Sequence, residues 1–149
     1  MPIGEICNRE VVFAQSKETA LEAARLMRQH HVGDVLVVEE RDGKNIPVGI
    51  VTDRDLVEEI IAPELDPTFI TVGDIMVPDF VTVSERLGVY EAVQFMRGKG
   101  VRRLPVVDDD GALVGIVTLD DLLALLAEEL DALAKLVVRE RQKEAGSRP

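Results

Sequence analysis

The chain has no tryptophan, one tyrosine and four phenylalanines in 149 residues, so its core must be aliphatic and it offers no stacking platform for single-stranded nucleic acid. A single cysteine, Cys7, excludes an internal disulfide, and no Cys/His cluster stands at the spacing of a structural zinc site. Cys7 reads as a small buried hydrophobe rather than a reactive thiol. No run approaches the ~18 apolar residues of a membrane span, and the start Met1-Pro2-Ile3-Gly4-Glu5 lacks the basic and apolar regions of a signal peptide. A cytoplasmic protein without a membrane is therefore expected. Basic charge is scarce too: 17 Lys and Arg against 28 Asp and Glu leave a formal charge of −11. That balance opposes nucleic acid, and an anionic ligand would need a local basic exception. No Gly-Lys-Ser/Thr phosphate loop occurs and no Ser-His-Asp or Cys-His grouping has a local signature, so the reading is not of an enzyme.

What is present is a repeat. With 46% hydrophobic and 30% charged residues the chain is globular. A shift of 69 positions superposes Gly4, Ile6, Val12, Glu22, Ala23, Met27, Arg28, Val32, Val37 and Val38 on identical residues at Gly73, Ile75, Val81, Glu91, Ala92, Met96, Arg97, Val101, Val106 and Val107. The shift then drops to 66, where Val48-Gly49-Ile50-Val51-Thr52 matches Val114-Gly115-Ile116-Val117-Thr118. A three-residue longer turn in the first copy, between Glu39 and Pro47, accounts for the change, with Asp42-Gly43 and Asp110-Gly111 as corresponding turn signals.

Each copy reads β-α-β-β-α, an α/β (α+β) pattern. Thr19 and Glu22 form a capping-box pattern ahead of a helix towards His30, with Ala20, Ala23, Ala24 and Met27 on its apolar side; Gly88 and Glu91 stand there in the second copy. Val35–Val38 and Leu104–Val107 suit strands covered on at least one face, and Pro105 places its strand at an edge. One copy of about 60 residues would be marginal alone, so the two are expected to pack with pseudo-twofold symmetry. The chain divides into repeat 1 (1–62), a Pro63-to-Pro67 linker (63–70), repeat 2 (71–127) and a C-terminal extension (128–149). On the helix that follows Thr118 and runs on into that extension, Leu122, Leu126, Leu130, Leu133 and Val137 form an apolar stripe, which buries itself either along the same chain or against a second one. The tail from Arg139 to Pro149 reads as polar and frayed.

Chemistry concentrates where Gly49-Ile50-Val51-Thr52-Asp53-Arg54-Asp55 and Gly115-Ile116-Val117-Thr118-Leu119-Asp120-Asp121 pass from strand to helix. A helix start presents free N–H groups suited to an anion, Thr donates a hydroxyl beside it, and the Asp three residues on can accept from a ribose diol. The glycine would let a flat base or another backbone approach. The same Thr and Asp also make an ordinary helix cap that needs no ligand. His30 and His31 complement a helix end, and Asp108-Asp109-Asp110 reads as a solvated hairpin turn rather than a calcium loop.

The doubled Gly-Ile-Val-Thr-x-x-Asp, the Val-Arg-Arg-Leu-Pro-Val-Val run at Val101 and the His-Val-Gly-Asp-Val-Leu-Val-Val run at His31 resemble a tandem CBS-domain pair, or Bateman module, from Gly4 to about Leu126. The resemblance implies a regulatory module, with no required cofactor, that binds an adenosyl ligand (AMP, ADP, ATP, S-adenosylmethionine or an NAD-like compound) in clefts between the repeats. It implies a homodimer and a protein target on another polypeptide. Thr52 and Asp55, like Thr118 and Asp121, then take the phosphate-side hydroxyl and the ribose acid, beside Ile50 and Ile116. Val81 and Met76 would line the cleft of Thr52; Val12 and Cys7 would line the cleft of Thr118. Arg103 stands where an arginine reaches phosphates. In the first copy Gly33 and Asp34 replace Arg102 and Arg103, so that cleft would disfavour phosphate. The alternative is an interaction protein with vacant clefts that works through its C-terminal helix.

Overall fold

The computed structural model describes residues 1–78 and 80–147. The first repeat runs β1 (Phe13–Gln15), α1 (Ala20–His30), β2 (Asp34–Arg41), β3 (Lys44–Thr52) and α2 (Asp53–Leu56). A short α3 (Val72–Ile75) precedes β4 (Val83–Ser84), α4 (Val89–Lys99), β5 (Arg103–Val107), β6 (Leu113–Thr118) and α5 (Leu119–Ser147). Each repeat forms a three-stranded sheet whose middle strand, β2 or β5, is parallel to the first strand and antiparallel to the third. This is the β-α-β-β-α order that the sequence pattern predicts. After α2 the chain widens into a π-helical turn at Val57–Ile61, with Ala62 N–H donating to Val57 O at 2.9 Å. Pro63 supplies the reason: it has no N–H for the next α-helical bond, and its ring would press on the carbonyl four residues back.

The helices begin where their caps are. Thr19 Oγ1 accepts from Glu22 N–H at 3.2 Å, while Gly88 caps α4 without a side chain. Ala20, Ala23 and Met27 of α1 are buried, with Ala24 only half-buried. Both helices end in a left-handed residue, His31 (φ 54°) after α1 and Gly100 (φ 66°) after α4. A Cβ is disfavoured there by roughly 1–2 kcal/mol. His31→Gly is expected to raise stability by about 1 kcal/mol and the unfolding midpoint by about 2–4 °C, measured by calorimetry on the two proteins side by side.

Three expectations are corrected. Pro105 lies in the central strand of its sheet, not at an edge. It is tolerated because β4 pairs with β5 only from Val106 onward. In the first repeat Leu36 N–H donates to Val12 O at 3.2 Å; Pro105, the equivalent residue, has no N–H, so the parallel pairing starts later and β4 is shorter. The extra residues of the first copy lengthen the hairpin arms instead of the turn. Asp42 and Gly43 (φ 52° and 77°) make a two-residue turn, whereas β5 and β6 are joined by the longer loop 108–112, held by Asp108 Oδ1 accepting from Asp110 and Ala112 N–H at 2.9 and 3.0 Å. The tail is not frayed, since α5 continues through Ser147: its Glu, Arg, Gln, Lys and Ala are good helix formers. Arg148 and Pro149 lie outside the described residues.

The two cores exchange their leading segments. Ile3 sits in the core of the second repeat with Val83, Met96, Leu104, Val117 and Leu122, and its counterpart Val72 sits in the first with Met27, Val35, Val37 and Val51. Backbone bonds fasten the exchange: Ile3 N–H to Leu87 O (2.7 Å) and Gly4 N–H to Glu85 O (2.9 Å) on one side, Val72 N–H to Glu18 O (2.8 Å) and Gly73 N–H to Ser16 O (2.9 Å) on the other. Bridges pair Asn8 with Ile116 and Val77 with Ile50. A repeat therefore cannot complete its own core without the segment that precedes the other repeat.

Candidate functional site

The two strand-to-helix junctions are built alike. Asp55 N–H donates to Thr52 Oγ1 at 3.1 Å and Thr52 N–H to Asp55 Oδ2 at 2.9 Å. Asp121 N–H donates to Thr118 Oγ1 at 3.1 Å and Thr118 N–H to Asp121 Oδ2 at 3.2 Å. All four residues are thus engaged in reciprocal caps. In each carboxylate Oδ1 accepts no hydrogen bond among the described residues, which leaves it able to receive a hydroxyl.

Strand register sets Thr52 beside Asp34 and Thr118 beside Arg103. Asp34 and Arg103 are equivalent under the 69-residue shift, and a twofold relation brings equivalent residues together near its axis. They meet as an ion pair at 2.6 Å, with side chains 20% and 42% exposed respectively. Arg103 is therefore committed to Asp34 rather than turned freely to a phosphate site. Lys44 and Asp110 tie the two hairpin tips together.

A cavity of about 420 Å³ opens around the ion pair. Ile50 and Asp34 contribute from the first repeat and Phe80, Val81, Val101, Pro105 and Ile116 from the second, with Arg102 and Arg103 as its basic groups. The volume lies within the range of small-molecule sites. It joins residues that the sequence reading assigned to two separate clefts: Ile50 and Val81 to one, Arg103 and Ile116 to the other. The Thr–Asp caps lie next to it through the strands but do not form its walls. Arg102 reaches Asp120 only at 4.0 Å, both side chains being largely exposed.

Cys7, Met76 and Val12 stand elsewhere. The Cys7 sulfur and Asn8 carbonyl lie where a Cβ on Gly115 would be, at 2.7 and 2.6 Å, and the Met76 sulfur lies 2.6 Å from that of Gly49. The glycines thus admit another stretch of this chain, not a flat base. Burial pushes the Cys7 thiol above its ordinary pKa, as suits a packed residue. Val12 packs against the first core. The sequence reading missed Asp34 as the partner of Arg103, together with Phe80 and Pro105. The shift of 69 contained the signal for the first, because residues equivalent across a twofold are candidates for contact. Among the described residues no group of three or more His, Cys, Asp or Glu could hold a metal ion, and no helix is long and apolar enough to cross a membrane.

A family model described as the CBS domain matches residues 3–62 and 72–128. An uncharacterized protein of Methanopyrus kandleri is 45% identical over 121 residues, 81% of this chain and 60% of that one, so the chain spans less than two thirds of that relative. Hypoxic response protein 1 of Mycobacterium tuberculosis is 33% identical over 124 residues, covering 83% and 84% of the two chains. A solved structure of Hypoxic Response Protein I, described with two coordinated zinc ions, is 31% identical with a TM-score of 0.71, covering 83% of this chain and 98% of that chain. The CBS domain of a bacterial CNNM/CorC family Mg²⁺ transporter, solved in complex with ATP, is 27% identical with a TM-score of 0.69, covering 83% and 84%.

Proposed function

Because the chain belongs to the CBS-domain family, the two matched segments making up most of its length, we propose that it is a cytoplasmic regulatory module that binds an adenosyl ligand between its repeats. The observation that carries this reading is the inter-repeat cavity: aliphatic walls from Ile50, Val81 and Ile116 for a flat base, and two arginines at one place in a chain of charge −11. Thr52 and Thr118, capped by Asp55 and Asp121, pair with the lining residues Asp34 and Arg103, and each of the two carboxylates keeps one oxygen available for a ribose diol. A similar domain, that of the CNNM/CorC transporter, is described in complex with ATP.

The proposed action is binding, not turnover. A ligand contacting both repeats stiffens their shared interface and biases the surface offered to a target on another chain. The Asp34–Arg103 pair makes the cavity selective: a phosphate must compete with the Asp34 carboxylate for the guanidinium, so uncharged adenosyl groups enter at less cost than nucleotides.

Thermal unfolding with adenosine, AMP, ATP, S-adenosylmethionine and NADH tests the reading. A ligand at about 100 times its dissociation constant adds about 2.7 kcal/mol, which raises the midpoint by about 5–11 °C. Asp121→Asn keeps an acceptor for the cap and removes the charge, and Asp55→Asn does the same in the first repeat; the expected result is that at least one of them cuts the shift sharply. No shift with any adenosyl compound sinks the proposal in favour of an interaction protein with vacant clefts. Steady consumption of a bound nucleotide would replace it with an enzyme.

A further inference from the structure

Helix α5 is far longer than the body it starts from can cover. Its 29 residues span about 43 Å. Leu122 is buried and Leu125 half-buried, and from Leu126 to Gly146 every residue is exposed. Within that stretch lie Leu126, Leu130 and Leu133 at 51, 68 and 59% exposure, followed by Leu136, Val137 and Val138. A projecting apolar helix of this kind draws its stability from a partner surface.

The spacing specifies the kind of partner. Leu119, Leu123, Leu126, Leu130, Leu133 and Val137 follow one another at steps of four and three, the seven-residue pattern of a helix that packs along another helix. Ala127 and Ala134, seven apart on one flank of this seam, allow close approach.

Charge specifies the direction. Between 119 and 134 the helix carries five acids and no base; from Lys135 to Ser147 it carries four bases against two acids. The helix dipole accounts for such a bias only in the first and last turns, yet Glu128, Glu129 and Asp131 stand two to three turns inside the helix. Two parallel copies would set acid against acid and base against base. Two antiparallel copies set each acidic half against the basic half of the other.

We infer that α5 is a homodimerisation helix that pairs antiparallel with α5 of a second copy of this chain. The twofold axis passes near Asp131 and Ala132, so that Leu130 faces Leu133 of the second copy, Leu126 faces its Val137, and Asp120 lies beside its Arg141. The basic end of each helix then reaches the foot of the other, where Leu119, Leu122, Leu123 and Leu126 line a cavity of about 310 Å³ with Val93 and Met96. This inference does not depend on what the inter-repeat cavity binds.

Sedimentation of the full chain should give twice the 16.4 kDa of one copy, or a multiple of that dimer. Leu130→Glu/Leu133→Glu alters only exposed positions, leaves the unfolding of the body unchanged, and weakens self-association roughly a hundredfold or more. Direction is read from the distance between spin labels at Gln142→Cys in a Cys7→Ala background. Antiparallel pairing puts the labels about 30 Å apart, from the helical rise; parallel pairing puts them within about 20 Å, from the spacing of packed helices. A monomeric wild-type chain, which leaves the stripe to a different protein, overturns the inference. So does a double variant that keeps the wild-type mass, or a short label distance.

Discussion

Gly115→Ala lowers the thermal unfolding midpoint by roughly 6–20 °C, because about 3–5 kcal/mol is lost at about 2–4 °C per kcal/mol. The new methyl would stand 2.6 Å from the Asn8 carbonyl oxygen and 2.7 Å from the Cys7 sulfur. The backbone oxygen cannot swing aside, and overpacking of this kind costs about 1–3 kcal/mol. Relief requires moving the 1–8 segment, which also breaks the bonds Asn8 N–H to Ile116 O (2.8 Å) and Ile116 N–H to Asn8 O (2.9 Å), each worth about 1 kcal/mol. Ile3 would leave the second core with it. Gly49→Ala is the internal control: there the nearest atom is the Met76 sulfur, and a thioether side chain adapts more easily, so the loss is about half as large. Equal losses at the two positions, or a Gly115→Ala midpoint close to wild type, would mean that the leading segment is not held as described.

Asp34→Asn tightens binding of AMP and ATP by about 10- to 100-fold and leaves adenosine within a few-fold of wild type. The amide keeps the shape of Asp34 but releases Arg103, whose charge-assisted bond to a phosphate is worth about 1.5–3 kcal/mol. Adenosine has no group that competes for the guanidinium, so its affinity isolates any general effect on the cavity. Titration calorimetry on the three ligands reads the ratio directly. A ratio unchanged from wild type means that the 2.6 Å pair does not gate the site, and a weaker hold on nucleotides means that Asp34 itself contacts the ligand.

Both predictions arise where the linear pattern stops being informative. The repeat was legible because a twofold pair of identical layouts leaves matching residues: Met27 and Met96 under the helices, Val37 and Val106 in the middle strands. Helix starts at Thr19 and Gly88 were legible because capping is local. Pro105 misled for the opposite reason, since whether a missing N–H matters depends on which neighbouring strand reaches that point, and β4 does not. The tail misled because polarity was read as disorder, although its residues favour a helix. At the candidate site the Thr–Asp pairs were visible as caps and the arginine as a charge, but not that Arg103 would meet Asp34.

The order of elements, the aliphatic cores, the doubling and the apolar stripe of α5 follow from the sequence alone, because each depends on residues within one helix or strand and on their period. Only the tertiary structure decided which segment completes which core, that Gly49 and Gly115 make room for Met76 and Asn8, and that one cavity with an ion pair inside it spans the two repeats. These are contacts between residues far apart in the chain. Their distances are set by how two sheets and an exchanged segment pack, and no local periodicity records them.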